Sequence, residues 1–196
     1  MKKRIVCIGN SITNGFPFKR SQSFPSIIRE ATGFEVINKG ENGETTDQVL
    51  ARFQHDVLDH NPDLVTILTG TNDFIFSLDT VIGAFDKIKK MVELVENQGI
   101  KVILITPLLT NPEMAKATWM TGDETDYYQV NRQLIELGNL IKDYRIDKEI
   151  IVLDLQENYR VFEEKVGSEK AFHDGLHPTV EGQAFIAARV IMALPF

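Results

Sequence analysis

A chain of 196 residues, 43 % hydrophobic and 25 % charged, has room for one domain with a proper core and is too short for two large ones. The formal net charge of −7 argues against a nucleic-acid partner, which would call for a basic face. A single cysteine, Cys7, excludes an internal disulfide framework and a cysteine zinc cluster.

Met1 to Arg4 start the chain with positive charge, as a signal peptide would, but the apolar run that follows is cut off at Gly9-Asn10 and is too short. No stretch reaches the length of a membrane span. A cytoplasmic protein is the expectation, with secretion by a route lacking a cleaved signal left open.

Ile5-Val6-Cys7-Ile8 reads as a strand buried on both faces of a parallel sheet, and Gly9 frees the backbone for a tight turn into Asn10-Ser11. Cys7 lies inside that run, so a buried structural thiol is expected. Ser23 to Ala31 predicts a helix with Pro25 in its first turn, closed by Gly33. Phe34 to Asn38 predicts a second strand, and Lys39 to Gly43 a turn. A helix follows from Thr45 or Thr46 through Val49, Leu50, Phe53, Val57 and Leu58. Leu64 to Leu68 predicts the third strand, and Thr69 to Asp73 a turn. A long helix from Asp79 or Thr80 runs to Asn97-Gln98-Gly99.

Val102 to Ile105 is the fourth predicted strand. Pro107 to about Gly122 has no clear period and reads as a long connection able to form a wall or lid. A helix from Asp123 to Tyr144, a strand at Ile150 to Leu153, a short helix from Asn158 to Lys165, a loop at Phe172 to His177 and a closing helix from Pro178 to about Met192 complete the chain. Strand and helix thus alternate five times. That pattern calls for a three-layer α/β/α domain spanning 1–196, with a five-stranded parallel sheet in the flavodoxin-like order 2-1-3-4-5.

A parallel sheet brings the carboxyl ends of its strands to one edge. Ser11, Gly43 and Asn72 follow the first three strands, and Asp174 and His177 sit in the last loop. A serine becomes a nucleophile when a histidine takes its proton and a carboxylate holds the imidazole in the right tautomer. Asp174 and His177, three residues apart across Gly175, can share one turn. The Ser11 and Gly43 N–H groups and the Asn72 amide are candidates for the oxyanion hole. Taken singly, each of these residues reads as a turn former or helix cap. Their joint arrangement is what favours catalysis.

Gly9-Asn10-Ser11-Ile12-Thr13, Gly43 before Glu44-Thr45-Thr46, Gly70-Thr71-Asn72-Asp73 and Asp174-Gly175-Leu176-His177 resemble, in order, the blocks of the SGNH hydrolases, the GDSL esterase/lipase family. By that resemblance Ser11 is the nucleophile, His177 the base and Asp174 its partner, with Gly43 and Asn72 as oxyanion donors. The resemblance also implies hydrolysis of esters or thioesters, often of short acyl groups, with no metal or organic cofactor. The family usually has Asp before the nucleophile. Asn10 here keeps the local hydrogen bonding but removes a charge. There is no G-x-S-x-G elbow, which argues against the ordinary α/β-hydrolase fold.

Asn10, Trp119 and Met120 are the candidates for substrate contact, although Trp119 and Met120 could equally pack the long connection onto the body. His55 and His60 read as solvated surface residues, and His173 as a loop residue outside the Asp174–His177 pair, not part of a metal cluster. The expected partner is a small-molecule ester. Thioesterase and lysophospholipase activities stay open, as does a non-catalytic flavodoxin-like binding module. Periodicity does not tell an exposed apolar helix face from a buried one, so a homodimer also stays open.

Overall fold

The apolar runs become five parallel strands: β1 (Arg4–Gly9), β2 (Glu35–Gly40), β3 (Leu64–Leu68), β4 (Lys101–Ile105) and β5 (Ile151–Leu153). They pair in the order β2-β1-β3-β4-β5. The structure, a computed structural model, describes residues 2–118, 124–144 and 150–196. Every residue of β3 is buried, as its unbroken Leu-Val-Thr-Ile-Leu demands, whereas the edge strand β2 is only partly buried and exposes Glu35.

Successive strand residues point to opposite faces, so each strand feeds two cores. Val6, Ile8, Val65, Ile67, Val102 and Leu104 pack on one face against α3 (Thr46–Ala51), α4 (Phe53–Asp56), α5 (Thr71–Ile75), α6 (Val81–Glu96) and α8 (Tyr127–Tyr144). Ile5, Cys7, Leu64, Leu68, Ile103 and Ile105 pack on the other against α2 (Phe24–Thr32), α9 (Leu155–Val166) and α11 (Val180–Met192). Cys7 is fully buried there, and burial pushes its thiol up to about 12. The remaining helices are α1 (Ser11–Asn14), α7 (Pro112–Thr118) and α10 (Ser168–Ala171).

Helix starts follow ordinary capping chemistry. Thr80 accepts from the Gly83 N–H at 3.0 Å to open α6, and Thr179 accepts from Gly182 at 3.1 Å to open α11.

Three stretches depart from expectation. The helix predicted from Thr45 or Thr46 onward breaks into α3, α4 and a 3₁₀ turn at Leu58–His60. The first break falls at Arg52, which leaves helical geometry with φ −99° and ψ 3°. The turn expected at 69–73 winds into α5 directly after Gly70, whose φ of 114° no side-chain-bearing residue adopts easily. The connection after β4 contains α7, where Asn111 accepts from the Met114 N–H at 3.1 Å just before Pro112. Trp119 and Met120 lie outside the described residues. Among the described residues no helix is long and apolar enough to cross a membrane.

Candidate active site

The turn after β1 is packed closely against the end of β3. A Cβ on Gly9 would lie 2.2 Å from the Leu68 carbonyl oxygen of β3, so only glycine lets the two strands close up there. Asn10 then caps α1, accepting the Ile12 N–H on its Oδ1 at 3.2 Å. Asn10 is buried, and its oxygen is engaged in the turn. A capping oxygen is what an Asp would also have supplied; only the charge is missing. Ser11 follows as the first residue of α1.

The loop bearing Asp174 and His177 is closed by a bridge between Phe172 and Pro178 and by the His173 N–H on the His177 carbonyl at 2.8 Å. Asp174 Oδ1 accepts two backbone N–H groups, from Leu176 at 3.0 Å and His177 at 2.7 Å. That fixes the carboxylate and turns Oδ2 towards the imidazole Nδ1, 2.8 Å away. His177 Nε2 lies 3.0 Å from Ser11 Oγ. With its proton on Nδ1, the imidazole donates to Asp174 and leaves Nε2 to accept the Ser11 hydroxyl. Burial pushes the Asp174 carboxyl up, but the hydrogen bonds from the His177 ring and from the His177 and Leu176 N–H groups outweigh it and hold the group below its usual range. Phe16 sets its ring edge-on to the imidazole, with centroids 4.8 Å apart.

On the other side of Ser11, the loop 41–45 is pinned at both ends. Its Glu41 N–H donates to the Gly9 carbonyl at 3.1 Å. The Asn72 side-chain amide donates to the Glu44 carbonyl at 2.8 Å. An amide nitrogen carries two hydrogens, so Asn72 keeps one to give elsewhere. Gly43 sits between these ties with φ 78°, and a Cβ built there meets nothing within 4 Å. Its backbone conformation, not crowding, is therefore what asks for glycine. Next to Asn72, Asp73 is buried and accepts the Thr46 N–H at 3.0 Å and the Thr46 hydroxyl at 3.0 Å. Burial raises its carboxyl above the ordinary value despite those bonds.

Asn10, Ser11, Gly43, Asn72, Asp174 and His177 therefore lie along one edge of the sheet, while Trp119 and Met120 fall outside the described residues. His55 is exposed beside Asp59, and His173 is exposed with its ring 5.5 Å from that of Phe18. Among the described residues no group of three His, Cys, Asp or Glu side chains is placed to hold a metal. Several supports have no sequence signature. Thr118 donates to the Asp174 carbonyl at 2.8 Å, the Asn111 N–H donates to the Gly175 carbonyl at 2.7 Å, and Arg52 donates to the Gly9 carbonyl at 3.0 Å. Only Asn111, a cap residue before a proline, could have been picked out in advance.

A hydroxyl hydrogen-bonded to a carboxylate-oriented imidazole at the carboxyl edge of a parallel sheet is the equipment of an acyl-transfer enzyme. Residues 7–185 match the GDSL-like lipase/acylhydrolase family. An arylesterase of Vibrio mimicus is 25 % identical over 199 residues, covering 98 % of this chain and 88 % of that protein. An acetylxylan esterase of Geobacillus stearothermophilus is 23 % identical over 173 residues, covering 84 % and 74 %. A solved lipolytic protein of the G-D-S-L family from Desulfitobacterium hafniense superposes with a TM-score of 0.81 at 26 % identity, covering 98 % of this chain and all of that one. The protein is a carboxylic ester hydrolase. The chain belongs to the GDSL-like lipase/acylhydrolase family.

Proposed function

We propose that the enzyme hydrolyses esters of small acyl groups, acetyl foremost, through an acyl-enzyme on Ser11. Ser11 Oγ attacks the carbonyl carbon while its proton passes to His177 Nε2. The Ser11 and Gly43 N–H groups and the free hydrogen of the Asn72 amide receive the oxyanion. The tetrahedral intermediate collapses as His177 returns the proton to the leaving alcohol. Water, deprotonated by His177, then releases the acid and restores Ser11. Asp174 stays ionised throughout and stabilises the imidazolium. Because the participating residues run from Ser11 to His177, residues 1–196 are read as one domain.

The observation that carries this reading is the continuous hydrogen-bonded chain from Ser11 Oγ through both nitrogens of His177 to Asp174 Oδ2, at 3.0 and 2.8 Å. The acetylxylan esterase among its relatives supports a short acyl group, and the arylesterase supports ester hydrolysis. The test is hydrolysis of p-nitrophenyl esters of increasing acyl length by wild type and Ser11→Ala. Activity is expected to be highest on acetate and to fall at least ~10⁴-fold in the variant. Unchanged activity in Ser11→Ala would remove the nucleophile assignment, and a maximum on long chains would remove the short-acyl assignment.

A further inference from the structure

Arg52 stands at the break between α3 and α4, and its side chain is 17 % exposed. Its three nitrogens go to three separate pieces of chain. Nε donates to Glu44 Oε2 at 2.7 Å, Nη1 to Asp56 Oδ2 at 2.7 Å and Nη2 to the Gly9 carbonyl at 3.0 Å. Asp56 takes Lys39 Nζ on its other oxygen at 2.8 Å, so two cations and two carboxylates neutralise one another.

The partners are what make this more than an ion pair. Gly9 ends β1 two residues before Ser11, and its carbonyl has both lone pairs filled, one by Arg52 and one by the Glu41 N–H of the neighbouring loop. Glu44 belongs to the same loop, and its own carbonyl holds the Asn72 amide. One rigid planar fork therefore spans the nucleophile turn and the segment that carries Gly43 and braces Asn72. An ion pair that served stability alone would have no need to spend a donor on the Gly9 carbonyl. A lysine in this place would have one point of charge for three acceptors set in different directions.

We propose that Arg52 is a positioning residue for ester hydrolysis, fixing the separation between the Ser11 N–H and the donors at Gly43 and Asn72. The proposal rests on the reading of those groups as the oxyanion site. Donors aimed at a developing charge act in the transition state and contribute little to ground-state binding, so Arg52 should govern kcat and leave KM nearly alone.

The experiment compares wild type, Ser11→Ala, Arg52→Lys, Arg52→Met and Glu44→Gln on p-nitrophenyl acetate. Active sites are counted by complete labelling with a fluorophosphonate, and the rate of that labelling is recorded separately. Per labelled site, Arg52→Met is expected to lose about 10- to 100-fold in kcat and in labelling rate, with KM changed less than about twofold. Arg52→Lys and Glu44→Gln should fall between it and wild type. Adding Asn72→Ala to Arg52→Met should cost less than adding it to wild type, because the donors no longer converge. A merely structural arginine would lower the melting temperature and leave kcat and labelling rate per site at wild-type values, and that result would overturn the proposal. Should Arg52→Met not fold, wild-type kcat in both Arg52→Lys and Glu44→Gln overturns it equally. Full activity in Ser11→Ala would strike the underlying reading of the site, whereas an inactive Ser11→Ala beside unaffected Arg52 and Glu44 variants would strike the role of Arg52 alone.

Discussion

On one side of the Ser11 hydroxyl, the end of β1, the end of β2 and the loop after it are tied together by ionised groups: Arg52, Glu44, Asp56 and Lys39, with the buried Asp73 behind them. On the other side, the loop of Asp174 and His177 is held by neutral groups: the Thr118 hydroxyl, the Asn111 N–H and the packing of α7 on Gly175. The two halves serve opposite electrostatic needs. Asp174 acts on the imidazole through its charge, and a cation bonded to that carboxylate would compete for it. The half that meets the oxyanion gains from rigidity and has no carboxylate whose influence needs protecting.

The sharpest way to break this comparison is to neutralise the one charge that the second half depends on. Asp174→Asn keeps an acceptor for the two backbone N–H groups, so the loop should fold. The imidazole then loses its carboxylate partner, and kcat is expected to drop about 10⁴-fold with little change in melting temperature. Steady-state kinetics beside thermal melts would check it. A loss of only a few-fold would mean that Asp174 is a loop former and not the imidazole's partner.

A smaller effect separates the two halves by their glycines. Gly175 has φ 80°, and a Cβ there would lie 2.3 Å from the Ala115 N of α7. Gly43 has nearly the same φ of 78° but open space around it. Gly43→Ala should cost about 1–2 kcal/mol of backbone strain alone. Gly175→Ala adds a clash with a packed helix and should cost more, with activity falling as the loop is displaced. Equal losses in denaturant titrations would show that α7 does not clamp the loop.

The smallest predicted effect is in the pH dependence of stability, where the buried carboxylates of the two halves act in opposite senses. Asp73 is raised above its ordinary 3.8, so the native state holds its proton more tightly than the unfolded chain. Its contribution is therefore fully present below 3.8 and is lost as pH rises through the raised value. Asp174 is lowered, so its contribution is present above 3.8 and is lost as pH falls through the lowered value. Unfolding free energies of wild type, Asp73→Asn and Asp174→Asn measured across acid pH should show this. Relative to wild type, Asp73→Asn gains as pH rises above 3.8, and Asp174→Asn gains as pH falls below it. Parallel curves for all three proteins would contradict the assignment.

The same division marks what could be read from the sequence. The strands were legible because continuous apolar runs such as Leu64 to Leu68 leave no other reading, and the chain order then fixed which turns share an edge. Ser11, Gly43, Asn72, Asp174 and His177 follow from that placement. Arg52 did not, because its meaning lies in contacts with Gly9 and Glu44, and a helix pattern runs across it without a mark. Helix α7 was hidden because in its two turns Ala115 is the buried residue, too little to make an apolar period. Thr118 gave no signal at all, since its bond to the Asp174 carbonyl joins residues 56 positions apart.

The most direct test of the central claim is to trap the acyl-enzyme position. Wild type and Ser11→Ala would be treated with a fluorophosphonate, and the adduct located by peptide mass spectrometry. A single adduct per chain, on Ser11, absent from the variant and accompanied by complete loss of esterase activity, is the predicted result. An adduct on another residue, or full esterase activity in a protein whose Ser11 stays unlabelled, would contradict it.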